Sequence, residues 1–500
     1  MKRTNNILLI VFQIMIISFD NIVAQQNKNI YWPIGTHEYP DSISGYGNSM
    51  IRLQSDGVQI DKIDLKMNFE ATAAAISDED GLMLFCTNGC AIVNADGDTI
   101  PGSEGLNPGE IADMTCGMDG YINPKGAMFL PWPGQGTKFC LLHMGARYDI
   151  SRKITSGPFY YTEIVQNGIS YEVTAKNNIL LDGDLETFSV IKHGNGRDWW
   201  IVVPQYASNK YFVFLLSPTG IQQYVWQTIG PAMSCNRTGS TTFSSDGTRY
   251  GRLQNCETLV MDFDRCSGSF SNPKSIYTPE HTFGDGGIAF SPNAQRVFIT
   301  SQTAILVANM TTLSPVFDTL IHTYSQSDWG VSLGAIQQAP DNNFYISNMA
   351  RRQYMGLLKM NNTDGSDATY IYNYLDLPVF SVRTSPNDPN YQLYDLPASQ
   401  CDTLGINGPN VSAAVPANTP RFGLFPGPAV DNVTFSAPTD ALLSNCLTIY
   451  NINGLEVFRQ TLTNGNTDFS VKSWPSGLYF VCLSLEYGPC IWNGKLFVTH

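Results

Sequence analysis

One local pattern recurs through the middle of the chain and constrains its fold more than any other feature. Each copy is a turn centred on Asp, Asn or a neighbouring Gly, followed by an aromatic-rich segment, as in 243–250, 290–298 and 339–346. Weaker copies follow the same pattern nearer the N-terminus. The turn residues of the six copies are at positions 80, 135, 195, 246, 293 and 341. Their spacing runs from 47 residues (246 to 293) to 60 residues (135 to 195).

A period near 50 residues built from short strands is typical of a β-propeller, whose sheets are arranged around a central channel. A single such sheet cannot bury both faces, whereas neighbouring sheets can bury them against one another. We therefore predict an all-β fold with a β-propeller over 25–395, of six to eight blades with seven preferred. Strands within 30–75 are expected to close the ring. A pair of β-sandwiches would explain the strands but not the recurring turn.

The composition supports this fold class. Charged residues make up only 14% of the chain, against roughly 25% in an average soluble protein. The 43 Gly and 28 Pro suit turns, and aromatic residues, at 12%, suit half-buried strands. Coiled coils and helical repeats, which depend on Glu, Lys and Arg, are excluded.

Residues 1–24 predict a secretory signal peptide. Lys2 and Arg3 supply the positive start, the segment 7–19 is largely apolar, and Ala24 gives a small residue before the cleavage point. The apolar segment is shorter than the roughly 20 residues that a transmembrane helix needs. No later segment is long and apolar enough to span a membrane. The sequence therefore predicts export without a transmembrane anchor.

The end of the chain predicts a small β-sandwich over 421–500, because short strand-like segments alternate there with Asn-Gly and Pro-Ser-Gly turns. The preceding residues 396–420 are rich in Pro, Gly, Asn and Ser and predict a linker. The order and spacing of the motifs also resemble the C-terminal sorting domain of the type IX secretion system of Bacteroidota. Gly427 and Leu455 depart from that family's pattern, in which Asn and Lys are usual. The positions that carry the resemblance are Pro426, Pro428, Gly454, Gly477, Tyr479, Lys495 and Val498.

This resemblance implies a destination and a partner. It implies that the type IX secretion machinery takes the chain from the periplasm across the outer membrane, for release or attachment at the cell surface. The segments 75–89, 198–203 and 333–341 also resemble secreted β-propeller proteins of Bacteroidota. Those segments are turn and strand residues, so this second resemblance implies a fold and no chemistry.

Motifs for catalysis or metal binding are scarce. Asp78, Asp80 and Asp246 lie in turns beside Gly or another turn residue, where an Asp side chain accepts hydrogen bonds from the backbone. We prefer that role to the facing carboxylates of a glycosidase. The oxygen-rich loops at 78–81 and 94–98 lack EF-hand spacing, so structural calcium is kept only as an alternative. With no His-Glu-x-x-His and no Gly-x-Ser-x-Gly motif, no catalytic residue, metal ligand or cofactor is predicted.

Three tryptophans are candidate ligand-binding residues. Trp199 and Trp200 are adjacent, so on a strand their side chains face opposite sides. Trp329 follows Asp328 in a loop-like stretch. Aromatic faces beside Asn and Asp at the rim of a propeller would suit carbohydrate. The alternative role for each is packing between blades.

The 11 cysteines predict disulfides with at least one unpaired thiol, because disulfides form in exported proteins and the count is odd. Cys86 and Cys90 have no second pair at metal spacing, so a bridge or buried thiols are preferred to zinc. Cys482 and Cys490 flank a predicted hairpin turn and are expected to pair.

The preferred function is a non-enzymatic, secreted or surface-displayed propeller that binds a glycan or a protein at its rim or channel mouth. The alternative is a secreted polysaccharide-degrading hydrolase or lyase, and a third hypothesis is a structural part of the cell-surface or motility apparatus. Two or three carboxylates that converge at the channel mouth would favour the enzyme. Nucleic acid is excluded as a partner, because the net charge is −14 and Lys and Arg form no basic run.

Overall fold

The chain forms two compact units in the computed structural model, Met1–Pro409 and Asn410–His500. The predicted signal peptide lies outside the described residues. No helix among the described residues is long and apolar enough to cross a membrane. The structure describes residues 28–36, 45–54, 57–63, 65–149, 153–168, 170–233, 239–254, 256–278, 286–322, 332–406, 423–425, 429, 431–436, 445–462, 466–485 and 490–498.

The described part of the first unit is built almost entirely of short antiparallel strands, with one short helix, α1 (Glu110–Thr115). The strands are β1 (Tyr31–Thr36), β2 (Gly47–Gln54), β3 (Gly57–Ile63), β4 (Ala74–Ser77), β5 (Met83–Thr87), β6 (Ile92–Asn94), β7 (Ala127–Pro131), β8 (Lys138–Tyr148), β9 (Ile154–Asn167), β10 (Ser170–Leu181), β11 (Ser189–Lys192), β12 (Trp199–Pro204), β13 (Lys210–Ser217), β14 (Gly220–Thr228), β15 (Ser240–Phe243), β16 (Arg249–Gln254), β17 (Glu257–Asp264), β18 (Ser269–Tyr277), β19 (Ile288–Phe290), β20 (Arg296–Thr300), β21 (Ala304–Asn309), β22 (Phe317–His322), β23 (Leu333–Gln338), β24 (Phe344–Asn348), β25 (Arg352–Lys359) and β26 (Thr369–Ser381).

These strands form seven sheets in the described part of the unit, and within each sheet the strand order follows the chain. The first two sheets, β1–β3 and β4–β6, have three strands each. The other five, from β7–β10 to β23–β26, have four strands each. The six turn positions predicted from the repeat all lie between the first and second strands of the second to seventh sheets. The predicted pattern therefore marks one equivalent turn per sheet.

The sheets are arranged in a ring. Every two consecutive sheets share one buried apolar cluster. The seventh sheet in turn shares a cluster with the first, where Trp32 and Ile51 pack with Met355, Leu357 and Val379. A closed succession of sheets that bury their faces against both neighbours is a β-propeller. The predicted fold class is confirmed, and the alternative of paired sandwiches is wrong for this unit.

Strand β12 shows why such a chain carries so little charge. Trp199, Ile201 and Val203 belong to the cluster shared with the preceding sheet. Trp200 and Val202 point the other way, into the cluster shared with the following sheet. Side chains alternate between the two faces of a strand, and both faces of this strand are buried, so its sequence is continuously apolar.

The turn role predicted for the acidic residues is confirmed at two positions. Asp246 Oδ1 accepts hydrogen bonds from Ser244 Oγ at 2.6 Å and from the backbone N–H of Thr248 at 3.0 Å. Asp78 Oδ1 accepts the backbone N–H groups of Asp80 and Leu82 at 3.0 and 2.8 Å. Hydrogen bonds of this kind stabilise the turn that connects the first strand of a sheet to the second.

The residues after β26 contact the first unit beyond position 396, where the linker is predicted to begin. Asp395 pairs with Asn195 in an isolated β-bridge, and the backbone N–H of Leu396 donates to the Gly194 carbonyl at 2.8 Å. A disulfide then joins Cys401 to Cys266. The first part of 396–420 is therefore attached to the propeller rather than extended as a linker.

The other cysteines resolve the remaining alternatives. Cys90 is bridged to Cys116, so a bridge between Cys86 and Cys90 is wrong, and Cys86 is a buried free thiol. Cys482 is disulfide-bonded, as the proposed pair with Cys490 requires. The side chain of Cys490 lies outside the described residues, so that pairing stays a prediction.

Replacing Cys401 with Ala is expected to destabilise the first unit by about 2–5 kcal/mol, because the disulfide closes a loop of 135 residues. Replacing Cys116 opens a loop of only 26 residues. Loop-closure entropy then predicts that Cys401→Ala lowers the free energy of unfolding by about 1.5 kcal/mol more than Cys116→Ala does. Urea unfolding of both variants measures the difference, and equal losses would contradict this entropic account.

The second unit has seven described strands in two sheets. One sheet has the order β27-β28-β31 and the other the order β30-β29-β32-β33. Val433, Phe435 and Phe469 of the first sheet pack against Leu447 and Val481 of the second. Two sheets that share one apolar core are a β-sandwich, as predicted. The strands are β27 (Gly423–Phe425), β28 (Asn432–Ser436), β29 (Asn445–Asn451), β30 (Glu456–Thr461), β31 (Asn466–Ser470), β32 (Gly477–Leu485) and β33 (Cys490–Val498).

Candidate functional site

A cavity of about 100 Å³ lies where the first strands of five sheets, β7, β11, β15, β19 and β23, approach one another. In a propeller these innermost strands surround the central channel. The segment 387–392, which follows β26, lies against them and completes the wall. Much of the lining is polar. Its polar side chains include Asn29, Lys125, Thr241, Ser245, Gln337, Gln338, Asp388 and Asn390.

Three side chains anchor the segment 387–392 in the channel. Asn387 Nδ2 donates to the backbone carbonyls of Lys125 at 2.9 Å and Phe188 at 3.1 Å. Asn390 Nδ2 donates to the Ser245 carbonyl at 2.7 Å. The Tyr391 hydroxyl donates to a carbonyl of β7 at 2.6 Å. Asp388 sits between these anchors, so its position is fixed from both sides.

Lys125 brings a buried ammonium group to the cavity. Its backbone has φ 55°, a conformation uncommon for residues other than Gly, and only 4% of the residue is exposed. Its Nζ donates to the Ile336 carbonyl at 3.2 Å. Burial lowers the pKa of Lys125 to about 8, and the nearby carboxylate of Asp388 opposes that shift. Burial therefore weakens the preference of Lys125 for its charged form.

Asp388 is the one carboxylate among the described residues that line the cavity. Trp32 Nε1 donates a hydrogen bond to Asp388 Oδ2 at 3.2 Å. Burial raises the pKa of Asp388 to about 7, although the hydrogen bond from Trp32 and the charge of Lys125 both act to lower it. A strongly perturbed acid and base in one cavity mark it as the candidate functional site.

The raised pKa predicts how stability depends on pH. The carboxyl has a pKa of about 7 in the folded chain and near 3.8 in its usual surroundings, so folding favours its protonated form. Its contribution is therefore fully present below about pH 4 and is lost as the pH rises to about 7. Asp388→Asn should remove this loss. The free energy of unfolding of the wild type, minus that of the variant, should fall steadily from pH 4 to pH 7 in urea titrations; a flat difference would contradict the assignment.

The tryptophans predicted as ligand contacts are placed differently. Trp199 and Trp200 are each 1% exposed and pack between sheets on opposite faces of β12. The ring centroids of Trp199 and Tyr391 are 5.6 Å apart. Trp200 Nε1 donates a hydrogen bond to the Arg265 carbonyl at 2.7 Å. Neither residue offers an aromatic face to a ligand in solution, and both have the other role considered for them, packing between blades. Trp329 lies outside the described residues.

Three of the seven motif positions lie in β32 or in the hairpin between β29 and β30 of the second unit. Gly454 has φ 77° in the hairpin between β29 and β30, where Asn451 Oδ1 accepts the N–H groups of Asn453 and Leu455. Gly477 begins β32, and the Tyr479 hydroxyl donates to the Pro475 carbonyl at 2.8 Å.

Two further motif positions, Lys495 and Val498, belong to β33. Val498 is buried in the apolar core. The backbone of Lys495 is described, but its side chain lies outside the described residues. Pro426 and Pro428 lie outside the described residues altogether.

Residues 423–489 match the family model of the secretion system C-terminal sorting domain. The chain carries a type IX sorting domain. The match covers most of the second unit and agrees with the resemblance inferred from its motifs. The sorting domain implies export to the cell surface or secretion. It also implies that the type IX secretion machinery is a partner of the chain.

No curated protein matches the chain. Among solved structures, the Dos1 propeller is similar at 9% identity, over 71% of this chain and 87% of that one, with a TM-score of 0.38. AztD from Citrobacter koseri is similar at 11% identity, over 72% and 97%, with a TM-score of 0.33. PorZ, a surface component of the type IX secretion system of Porphyromonas gingivalis, is similar at 11% identity, over 91% and 68%, with a TM-score of 0.26.

Proposed function

We propose that this exported propeller is a binding protein that takes a small polar ligand, or one polar unit of a larger ligand, into the cavity of its central channel. The observation that carries the proposal is the perturbed pair Lys125 and Asp388 on a polar wall. Ligand sites commonly combine a concave surface with a few fixed polar groups. The cavity is smaller than the roughly 300–1,000 Å³ of pockets for drug-sized molecules, so it suits a small group.

The same wall argues against the hydrolase alternative. Glycosidases of the usual kind hold two carboxyl groups across the scissile bond, one as the acid and one as the nucleophile or base. The described lining contributes Asp388 and no second carboxylate. The carboxylates Asp78 and Asp246, which a search for catalytic residues would have selected, hold turns instead. Binding is therefore the function that this cavity supports best.

The experiment is to screen the exported chain on glycan and protein arrays. A variant that blocks the cavity, Ser245→Trp, should abolish binding to every ligand that enters the channel, because Ser245 lines the cavity. The matched control is Leu313→Trp, since Leu313 is 99% exposed on the turn after β21 and outside the lining. Array ligands that bind both variants as they bind the wild type would reject the channel as the site. Turnover of a bound polysaccharide would favour the enzyme.

A further inference from the structure

Lys125 and Asp388 line the same cavity but form no direct ion pair with each other. Each shifts the pKa of the other, so they lie within electrostatic reach. Both residues are described, yet the ammonium nitrogen of Lys125 lies more than 4.0 Å from the carboxylate oxygens of Asp388. Among the described residues, the Lys125 ammonium has one hydrogen bond, to the Ile336 carbonyl, and the Asp388 carboxylate has one, from Trp32.

This arrangement leaves hydrogen-bonding capacity unused. An ammonium group has three donors and a carboxylate has about four lone-pair sites, so both groups retain unused positions. Charges taken out of water are costly unless they are paired and hydrogen-bonded. A direct ion pair would lower that cost, and the structure holds the two groups apart instead. A bound group that accepts from Lys125 and donates to Asp388 would satisfy both.

The rest of the wall restricts the chemistry of that group. The side-chain amide of Asn29 presents both a donor and an acceptor to the cavity. Ser245 Oγ donates to Gln338 Oε1 at 2.6 Å, so the Nε2 group of Gln338 is left as a donor. Gln337 Nε2 donates to the Gln338 carbonyl at 3.2 Å, so the Oε1 of Gln337 is left as an acceptor. The charges of Lys125 and Asp388 are of opposite sign and cancel, so the cavity does not favour a ligand with a net positive or a net negative charge. A hydroxyl both donates and accepts, and it is neutral, so a ligand with adjacent hydroxyls fits every one of these groups.

We propose that the channel cavity binds one neutral sugar unit, with one hydroxyl accepting from Lys125 and another donating to Asp388. The inference rests on the proposed function and adds the ligand class and the two residues that recognise it. Lys125 and Asp388 are fixed by different parts of the fold, the loop before β7 and the segment after β26, so their separation is set before the ligand arrives. Such a preorganised pair selects a hydroxyl spacing rather than a charge.

The first test is calorimetric titration of the full exported chain with D-glucose, D-galactose, D-mannose and N-acetyl-D-glucosamine, with glycine as the zwitterionic probe. At least one sugar should bind. Lys125→Met should weaken its binding about tenfold or more, because it removes the charged donor. Asp388→Asn should weaken it about tenfold, because a neutral amide oxygen replaces the charged acceptor. Lys192→Met is the matched control, since Lys192 is also a buried lysine but lies outside the lining, and it should change the affinity less than twofold.

The second test needs no variant and so does not depend on how the variants fold. Mono-deoxy analogues of the bound sugar should include at least two that bind about tenfold more weakly, one for each charged group. Binding of glycine in preference to all four sugars would overturn the inference, as would equal binding of every deoxy analogue. If Ser245→Trp abolishes array binding while Lys125→Met and Asp388→Asn leave it within twofold, this inference fails and the proposed function stands. If no array ligand and no sugar binds, both fail.

Discussion

A chain that lacks residues 421–500 is expected to accumulate in the periplasm, with export reduced at least tenfold. The reason is that these residues contain the sorting domain matched over 423–489, which the secretion machinery reads. The first unit has its own closed ring of apolar clusters, so it should stay folded without them. Immunoblots of periplasmic and extracellular fractions measure the distribution. Normal export of the truncated chain would reject the role of this domain.

Two point variants separate recognition of a folded domain from recognition of a bare sequence. Val481→Asp places a charge in the sandwich core, where Val481 is 1% exposed, and should block export as the deletion does. Lys472→Ser, on the exposed turn after β31, changes one residue of the same domain and should leave export unchanged. If Val481→Asp is exported normally, the machinery does not need the folded sandwich.

The propeller could be predicted because its signal is local. The turn at Asp246 is held by its own neighbours, Ser244 and Thr248, so the sequence there determines the conformation without help from distant residues. The same holds at Asn293, whose Oδ1 accepts the N–H of Gln295 at 3.0 Å. Because one such turn occurs in each of six sheets, the spacing of turns predicted the spacing of sheets.

The candidate site could not be predicted because its residues are brought together over long distances. Asn387 fixes the loop of Lys125 from 262 positions away. In the sequence, the stretch around Asp388 is another Pro- and Asn-rich segment, and nothing local shows that it lies in the channel. The attachment of Cys401 to Cys266 is equally non-local, which is why the linker was predicted to begin too early. Turn composition describes a loop but not where the loop packs.

The tryptophans show a third limit of sequence reasoning. The alternation along β12 was predicted, so Trp199 and Trp200 do face opposite sides. The sequence could not show that both sides are buried, because that depends on a neighbouring sheet on each face. In a ring each sheet has a neighbouring sheet on each face, so both members of an aromatic pair on β12 pack between sheets.

Replacing Arg252 with Met is expected to destabilise the first unit by about 3–5 kcal/mol, because it leaves the charge of Glu186 buried without its partner. Both side chains are fully buried, and Arg252 Nε and Nη2 each donate to a Glu186 carboxylate oxygen at 2.7 Å. Arg252 Nη1 also donates to the Ser208 carbonyl at 2.7 Å and to the Tyr211 hydroxyl at 3.1 Å. The pair therefore ties β16 of the fifth sheet to the loop before β11 of the fourth.

The double variant Glu186→Gln with Arg252→Met should recover part of that loss, since no uncompensated charge remains. Arg296→Met is the matched control: its partner Asp364 is about one-third exposed, and exposed pairs contribute about 0–1 kcal/mol. Urea unfolding of the four chains gives the free energies. If Arg252→Met and Arg296→Met cost the same, the Glu186–Arg252 pair contributes no more than a surface contact. If the double variant is less stable than Arg252→Met, the cost comes from lost packing and hydrogen bonds rather than from the unpaired carboxylate, because removing that charge would then bring no gain.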